Sequence, residues 1–134
     1  MYGIFLSARG ILNSRTLDAN DNLIRHLTAT ISHIQLLLGV SIYMMSPIVK
    51  FKSAMTENHL WINESDFFRY WHIGLMVISV VMVTIGSARA KRAQNDRDKY
   101  GTMLLWFSIS LLLIAIAIPW PFSPLANRPF FRSF

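Results

Sequence analysis

The chain is 134 residues long, enough for one small domain, and 53% of it is hydrophobic, above the 45–50% usual for soluble proteins. Its formal charge of +6 comes from basic residues that flank apolar blocks, with none of the basic–aromatic interleaving of a nucleic-acid module, so no nucleic-acid partner is expected. It contains no cysteine, which excludes disulfides, thiolate metal sites and c-type haem attachment.

Residues 1–22 begin with a short apolar run broken by Arg9, too interrupted and too poor in early basic charge for a secretory signal peptide. The polar stretch at 13–22 reads as a loop, with Asp21 or Asn22 as N-cap of the next element. A first spanning helix is predicted over about 23–45, stopped by Ser46-Pro47 because proline cannot continue a helix. Residues 46–66 read as an external loop whose Phe51, Trp61 and Ile62 among lysines suit the membrane interface. A second span is predicted over about 67–88, preceded by capping side chains at 63–66. The charged run 89–99 reads as a connector. A third span, about 100–118, ends at Pro119-Trp120-Pro121 and leaves a tail over 119–134. Residues 71–88 and 104–118 hold no charge, and a bilayer needs roughly 20 mainly apolar residues per helix. The expected fold is all-α: a single integral membrane helical bundle of three transmembrane helices, with the lipid bilayer as its first partner.

Lys and Arg counts set the orientation. Eight lie with the N-terminus and the 89–99 connector, and five with the 46–66 loop and the tail. The positive-inside rule puts residues 1–22 and the connector in the cytoplasm and the loop and tail outside, in a multi-pass protein of a bacterial inner membrane.

Two histidines lie within the apolar spans, and an ionisable residue in hydrocarbon is a functional candidate by default. Helical spacing puts His26, Thr30, His33, Leu37 and Met44 on one face of the first span, with Thr28, Ser32, Gln35 and Gly39 opposite. Polar residues on both faces predict a central position in the bundle or further helices from a partner subunit or second copy. In the second span His72, Met76, Ser79, Val83 and Gly86 share a face. Its small residues leave room for a flat macrocycle or let another helix approach closely. The bland readings are a snorkelling His26, a solvated His59, and a Gln35 that bonds between helices. Depth separates the two principal candidates. Counted from Tyr43, His33 lies about 15 Å deep, whereas His72 lies about 3 Å below Tyr70. Two axial ligands of one iron belong at similar depth, so His33 and His72 either serve different sites or the second helix starts well outside the membrane.

The runs Ser-His-Ile-Gln-Leu-Leu-Leu-Gly-Val-Ser-Ile-Tyr-Met-Met-Ser-Pro (32–47) and Phe-Arg-Tyr-Trp-His-Ile-Gly-Leu-Met (68–76), with Thr-Ile-Gly-Ser (84–87) and Ile-Pro-Trp-Pro-Phe (118–122), carry a resemblance. In their order and spacing, over about 22–122, the chain resembles small bacterial membrane proteins of a four-helix cytochrome b-like family. The resemblance implies haem b and electron transfer, with His33 and His72 at the positions of that family's histidines. It also implies an upstream helix with a histidine near its outer end, of which residues 1–6 would be the cytoplasmic end.

The expectation is therefore a membrane-bound cytochrome b-like electron-transfer protein or subunit. Haem iron would be ligated by His72, with His33 second, and Met76 and Ser79 would line the cofactor site. No substrate-converting site is expected, because no carboxylate, serine or chelating cluster of a recognisable kind lies within the spans. The alternative is a haem-free membrane subunit whose histidines serve helix packing or a quinone or proton site.

Overall fold

The computed structural model describes residues 1–46, 67–118 and 120. Apart from Ser46 and Trp120, the expected external loop and tail lie outside the described residues, as do His59 and the capping residues expected at 63–66. Four α-helices are seen: α1 (Tyr2–Leu12), α2 (Ala19–Met45), α3 (Ile73–Arg92) and α4 (Asp96–Ala117). A π-helical turn, Phe67–His72, leads directly into α3. Three segments, Ala19–Met45, Tyr70–Arg92 and Asp96–Ala117, are long and apolar enough to cross a membrane. The chain is an all-helical membrane protein.

Helix α1 falls where the residues alone read as a short apolar start and the resemblance implied a helix end over 1–6. It buries Gly3, Leu6, Ser7 and Gly10, a three-and-four spacing that forms one helical face. That face lies on α4, where the Tyr100 ring covers Gly10 so closely that a Cβ there would sit 2.7 Å from it. The helix ends in a doubly bonded C-terminal turn. Arg15 N–H donates to Gly10 O at 3.0 Å and Ser14 N–H to Ile11 O at 3.3 Å, with Ser14 left-handed at φ 47°. These bonds satisfy carbonyls that the helix itself cannot.

Helix α2 begins earlier than the expected residue 23, and its cap is Asp18 instead of Asp21 or Asn22. Asp18 Oδ1 accepts from Asp21 N–H at 2.8 Å, and Asp21 Oδ2 accepts from Asp18 N–H at 3.3 Å. This reciprocal capping box satisfies two orphan donors at once. The expected connector over 89–99 likewise shrinks to a turn at 93–95. Residues 89–92 extend α3 with good helix formers, and Arg89, Lys91 and Arg92 suit its negative C-terminal end. Asp96 and Asp98 occupy the first turn of α4, where the positive helix end favours them.

Helices α3 and α4 form the central pair. Ser79, Val80, Val83, Gly86, Ser87 and Ala90 are buried on α3, and Tyr100, Met103, Phe107, Ser110 and Ala117 on α4. Small residues permit this close approach. Gly86 meets Trp106, whose Cβ would lie 2.3 Å from a Cβ added at the glycine. Ser79 and Ser110 each donate to the other's backbone carbonyl, at 3.1 and 3.0 Å, with their hydroxyls 2.7 Å apart. The small-residue lane below His72 is thus filled by α4.

Helix α2 does not sit centrally. It flanks α3, and among its residues only Asp21 and Arg25 are buried. The face carrying His26, Thr30, His33, Leu37 and Met44 is exposed, with Leu37 68% and Met44 67% accessible. The α3–α4 pair needs close small-residue contact, so the longer polar side chains of α2 are left at the edge.

Candidate functional site

The opposite face of α2 turns inward. Ser32, Gln35 and Gly39 line a partly open cavity of about 220 Å³ between α2, α3 and α4. Across it stand His72, Met76 and Ser79, with Tyr43 near the C-terminal end of α2 and Ile114 from α4. Thr28, a turn earlier on the same α2 face, lies instead against α1, its hydroxyl oxygen 3.2 Å from where a Gly3 Cβ would be. A second cavity, at Met1 and Gly3, shares Ser32 and Ile114 with the first.

His72 occupies the junction between the π-helical turn and α3, and such irregularities are frequent at functional sites. Its Nδ1 donates to the Ala117 carbonyl at 2.8 Å. Ala117 is the last residue of α4, so this carbonyl has no partner within its own helix. The bond therefore serves as a C-terminal cap for α4 and places a ring proton on Nδ1. A carbonyl bonded to the other ring nitrogen is the usual support of a metal-ligating histidine.

His33 lies elsewhere. Its Nδ1 donates to Ala29 O at 2.7 Å, and its Nε2 is 3.2 Å from the Thr84 hydroxyl on α3. Thr84 follows His72 by twelve residues, about 18 Å of α-helix. The structure thus brings together His72, Met76 and Ser79 of the expected site residues and sets His33 apart, outside the cavity. Gln35, expected to bond between helices, faces the cavity.

Whether a haem could be held here turns on ligand geometry. His72 has, in its Nδ1–Ala117 carbonyl bond, the kind of support an axial histidine uses. Met76 cannot be the second, because residues four apart on one helix share a face and cannot grip an iron from both sides. The cavity lies below the 300–1,000 Å³ common for small-molecule sites, so a macrocycle seated against His72 would extend through the open side or displace α2. Among the described residues no three His, Cys, Asp or Glu gather to hold a bare metal ion; haem iron needs at most two protein ligands.

A second polar constellation, at the other end of the bundle, was not visible in the sequence beyond its charges. Tyr100 O–H donates to the Asp21 carboxylate, both groups being 1% exposed. Arg15 approaches the same carboxylate at 3.7 Å and pairs with Asp18. The Asp21 N–H and the Arg15 guanidinium hold the Asp18 carboxyl below its ordinary range, and Arg15 is correspondingly raised by Asp18. Arg25, 6% exposed, donates to the Ser87 carbonyl and hydroxyl at 2.9 and 2.6 Å and to Asn22. Only the Asn22–Arg25 spacing of three, which puts the two on one helical face, was available as a sequence signal.

Comparisons with protein-family models, curated proteins and solved structures return no match to this chain.

Proposed function

We propose that this chain is a membrane-embedded electron-transfer subunit of cytochrome b type, supplying His72 as one axial ligand to haem b. The observation that carries the reading is His72 itself. Its Nδ1–H is bound by the Ala117 carbonyl, and the ring borders a cavity at the π-to-α junction. Haem would supply one-electron chemistry. The protein's part is to orient one imidazole and to line the site with Met76, Ser79 and apolar neighbours. A second axial ligand would come from another helix, in an upstream segment or a second copy of the chain, since His33 bonds to Thr84. In this reading the N-terminus and the 93–95 turn face the cytoplasm of a bacterial inner membrane, with the basic residues on that side.

A second reading rests on a specific observation. Both histidines bond between helices, and Gln35 shares the cavity with His72, as a haem-free subunit with a quinone site would require.

Reduced-minus-oxidised spectra of the purified chain, expressed with ample haem, separate the two. The expected result is a b-type spectrum lost in both His72→Ala and His72→Gln, and kept in His33→Ala and His59→Ala. The glutamine retains a donor for Ala117, so loss in that variant reports ligation and not packing. A wild-type protein without a Soret band overturns the cytochrome reading and leaves the quinone reading standing.

A further inference from the structure

Near the Tyr100–Asp21 end of the bundle, a groove of about 600 Å³ lies between the ends of α3 and α1 and the first three turns of α4. Arg89 reaches it from α3 and Arg97 from α4, with Thr102 between apolar walls of Leu105 and Trp106. Neither arginine forms an ion pair among the described residues, whereas Arg15 and Lys99 on the same end are paired with aspartates. One carboxylate, Asp98, also borders the groove, and it accepts from the Asn95 amide. The two guanidinium groups therefore outweigh one partly engaged acid. Arg89 is held over the Trp106 ring, 5.6 Å from its centroid, and that ring is fixed in turn by close packing on Gly86. Gly101 opens the wall, since a Cβ there would meet nothing within 4 Å.

The groove leads into an apolar lane. Leu105, Ile109, Leu112 and Ile116 are all exposed, at the spacing of four, three and four that makes one helical stripe. From 105 to 116 the lane is about 16 Å long, close to half of a hydrocarbon core about 30 Å thick. Paired cations at the mouth of a leaflet-length apolar stripe have the complementarity of a two-part ligand. We infer that this groove is a binding site for an anionic phospholipid, with the phosphodiester between Arg89 and Arg97 and an acyl chain along Leu105–Ile116. Arginine forks suit phosphate oxygens better than a diffuse basic surface does, and basic pockets between membrane helices are known to take acidic headgroups.

The test uses the full chain, delipidated in detergent, and native mass spectrometry with phosphatidylglycerol, phosphatidylcholine or inorganic phosphate as probe. Phosphatidylglycerol should bind preferentially. At about a five-fold gain per basic residue near an acidic headgroup, Arg89→Gln with Arg97→Gln should weaken it roughly 30-fold. Gly101→Leu keeps both charges and fills the groove; it should weaken the lipid at least about five-fold. Lys91→Gln with Arg92→Gln, on exposed residues outside the groove, should change it by less than two-fold. Equal binding of phosphatidylcholine, equal loss in the Lys91/Arg92 variant, or no effect of Gly101→Leu would each overturn the proposal. Inorganic phosphate binding as tightly as the lipid would overturn the lipid as the ligand. Should the double arginine variant lose helix content by circular dichroism, Gly101→Leu decides alone.

Discussion

Replacing Gly86 by alanine adds one methyl at the tightest point of the α3–α4 seam. An added Cβ would lie 2.3 Å from Trp106 Cβ and 2.9 Å from its Cγ, whereas carbon atoms rest about 3.5–4.0 Å apart. The tryptophan Cβ is fixed to the α4 backbone, so no rotamer change removes it. The helices must part by more than about 1 Å at that level. Overpacking of this kind costs about 1–3 kcal/mol. Separation also stretches the mutual Ser79–Ser110 bonds, two turns away and already at 3.0–3.1 Å, each worth about 0.5–1.5 kcal/mol. Gly86→Ala should therefore lower stability by about 2–4 kcal/mol in a denaturing-detergent titration followed by circular dichroism. A second assay reads the geometry itself. The natural chain has no cysteine, so a Ser79→Cys, Ser110→Cys pair reports helix proximity through its disulfide yield, which Gly86→Ala should depress. An alanine variant within about 0.5 kcal/mol of the parent, with unchanged cross-linking, would refute the seam as the close contact that organises the bundle.

Tyr100→Phe removes the hydroxyl that donates to the buried Asp21 carboxylate and should cost about 1.5–3 kcal/mol; Asp21→Asn in the same background should add less than it does alone, as a double-mutant cycle in the same titration would show. Asp18 carries a lowered carboxyl pKa in the folded chain, so its stabilising effect is complete above the ordinary carboxylate range, near pH 4, and is lost as pH falls through the depressed value. Asp18→Asn keeps a capping oxygen without that titration; its melting temperature, compared with the parent's from pH 6 to pH 3, should change less steeply at the acid end.

The spans were legible because long uncharged runs have few alternatives in a bilayer, and Pro47 and Pro119 bounded two of them as sequence punctuation. Charge misled at the other ends. The run 89–99 looks like a connector by polarity, yet Ala, Arg and Lys favour helix and their charges suit the C-terminus of α3, so the turn contracts to 93–95. Asp21 and Asn22 read as the caps of the first span, and only the reciprocal bonding of Asp18 with Asp21 moves the cap to Asp18. At the site, periodicity correctly grouped His72, Met76 and Ser79. It was silent on what faces them, since Gln35 and Tyr43 come from another helix and the carbonyl of Ala117 lies 45 residues away. The position of α2 at the edge was equally hidden: polar residues on two faces state a need for partners without saying which helices supply them.

The three hydrogen bonds described between α2 and α3, two from Arg25 to Ser87 and one between His33 and Thr84, all fall in the first 15 residues of a 27-residue helix. Beyond His33, α2 runs on past the cavity to Tyr43, an arm about 15 Å long. Rotating that arm by about 5° about the His33–Thr84 contact moves its end by about 1.3 Å. Because Gln35, Gly39 and Tyr43 on that arm line the cavity, the width beside His72 would follow the tilt of α2. Membrane thickness, which sets helix tilt at a modest energetic cost, would then bear on the width of the site.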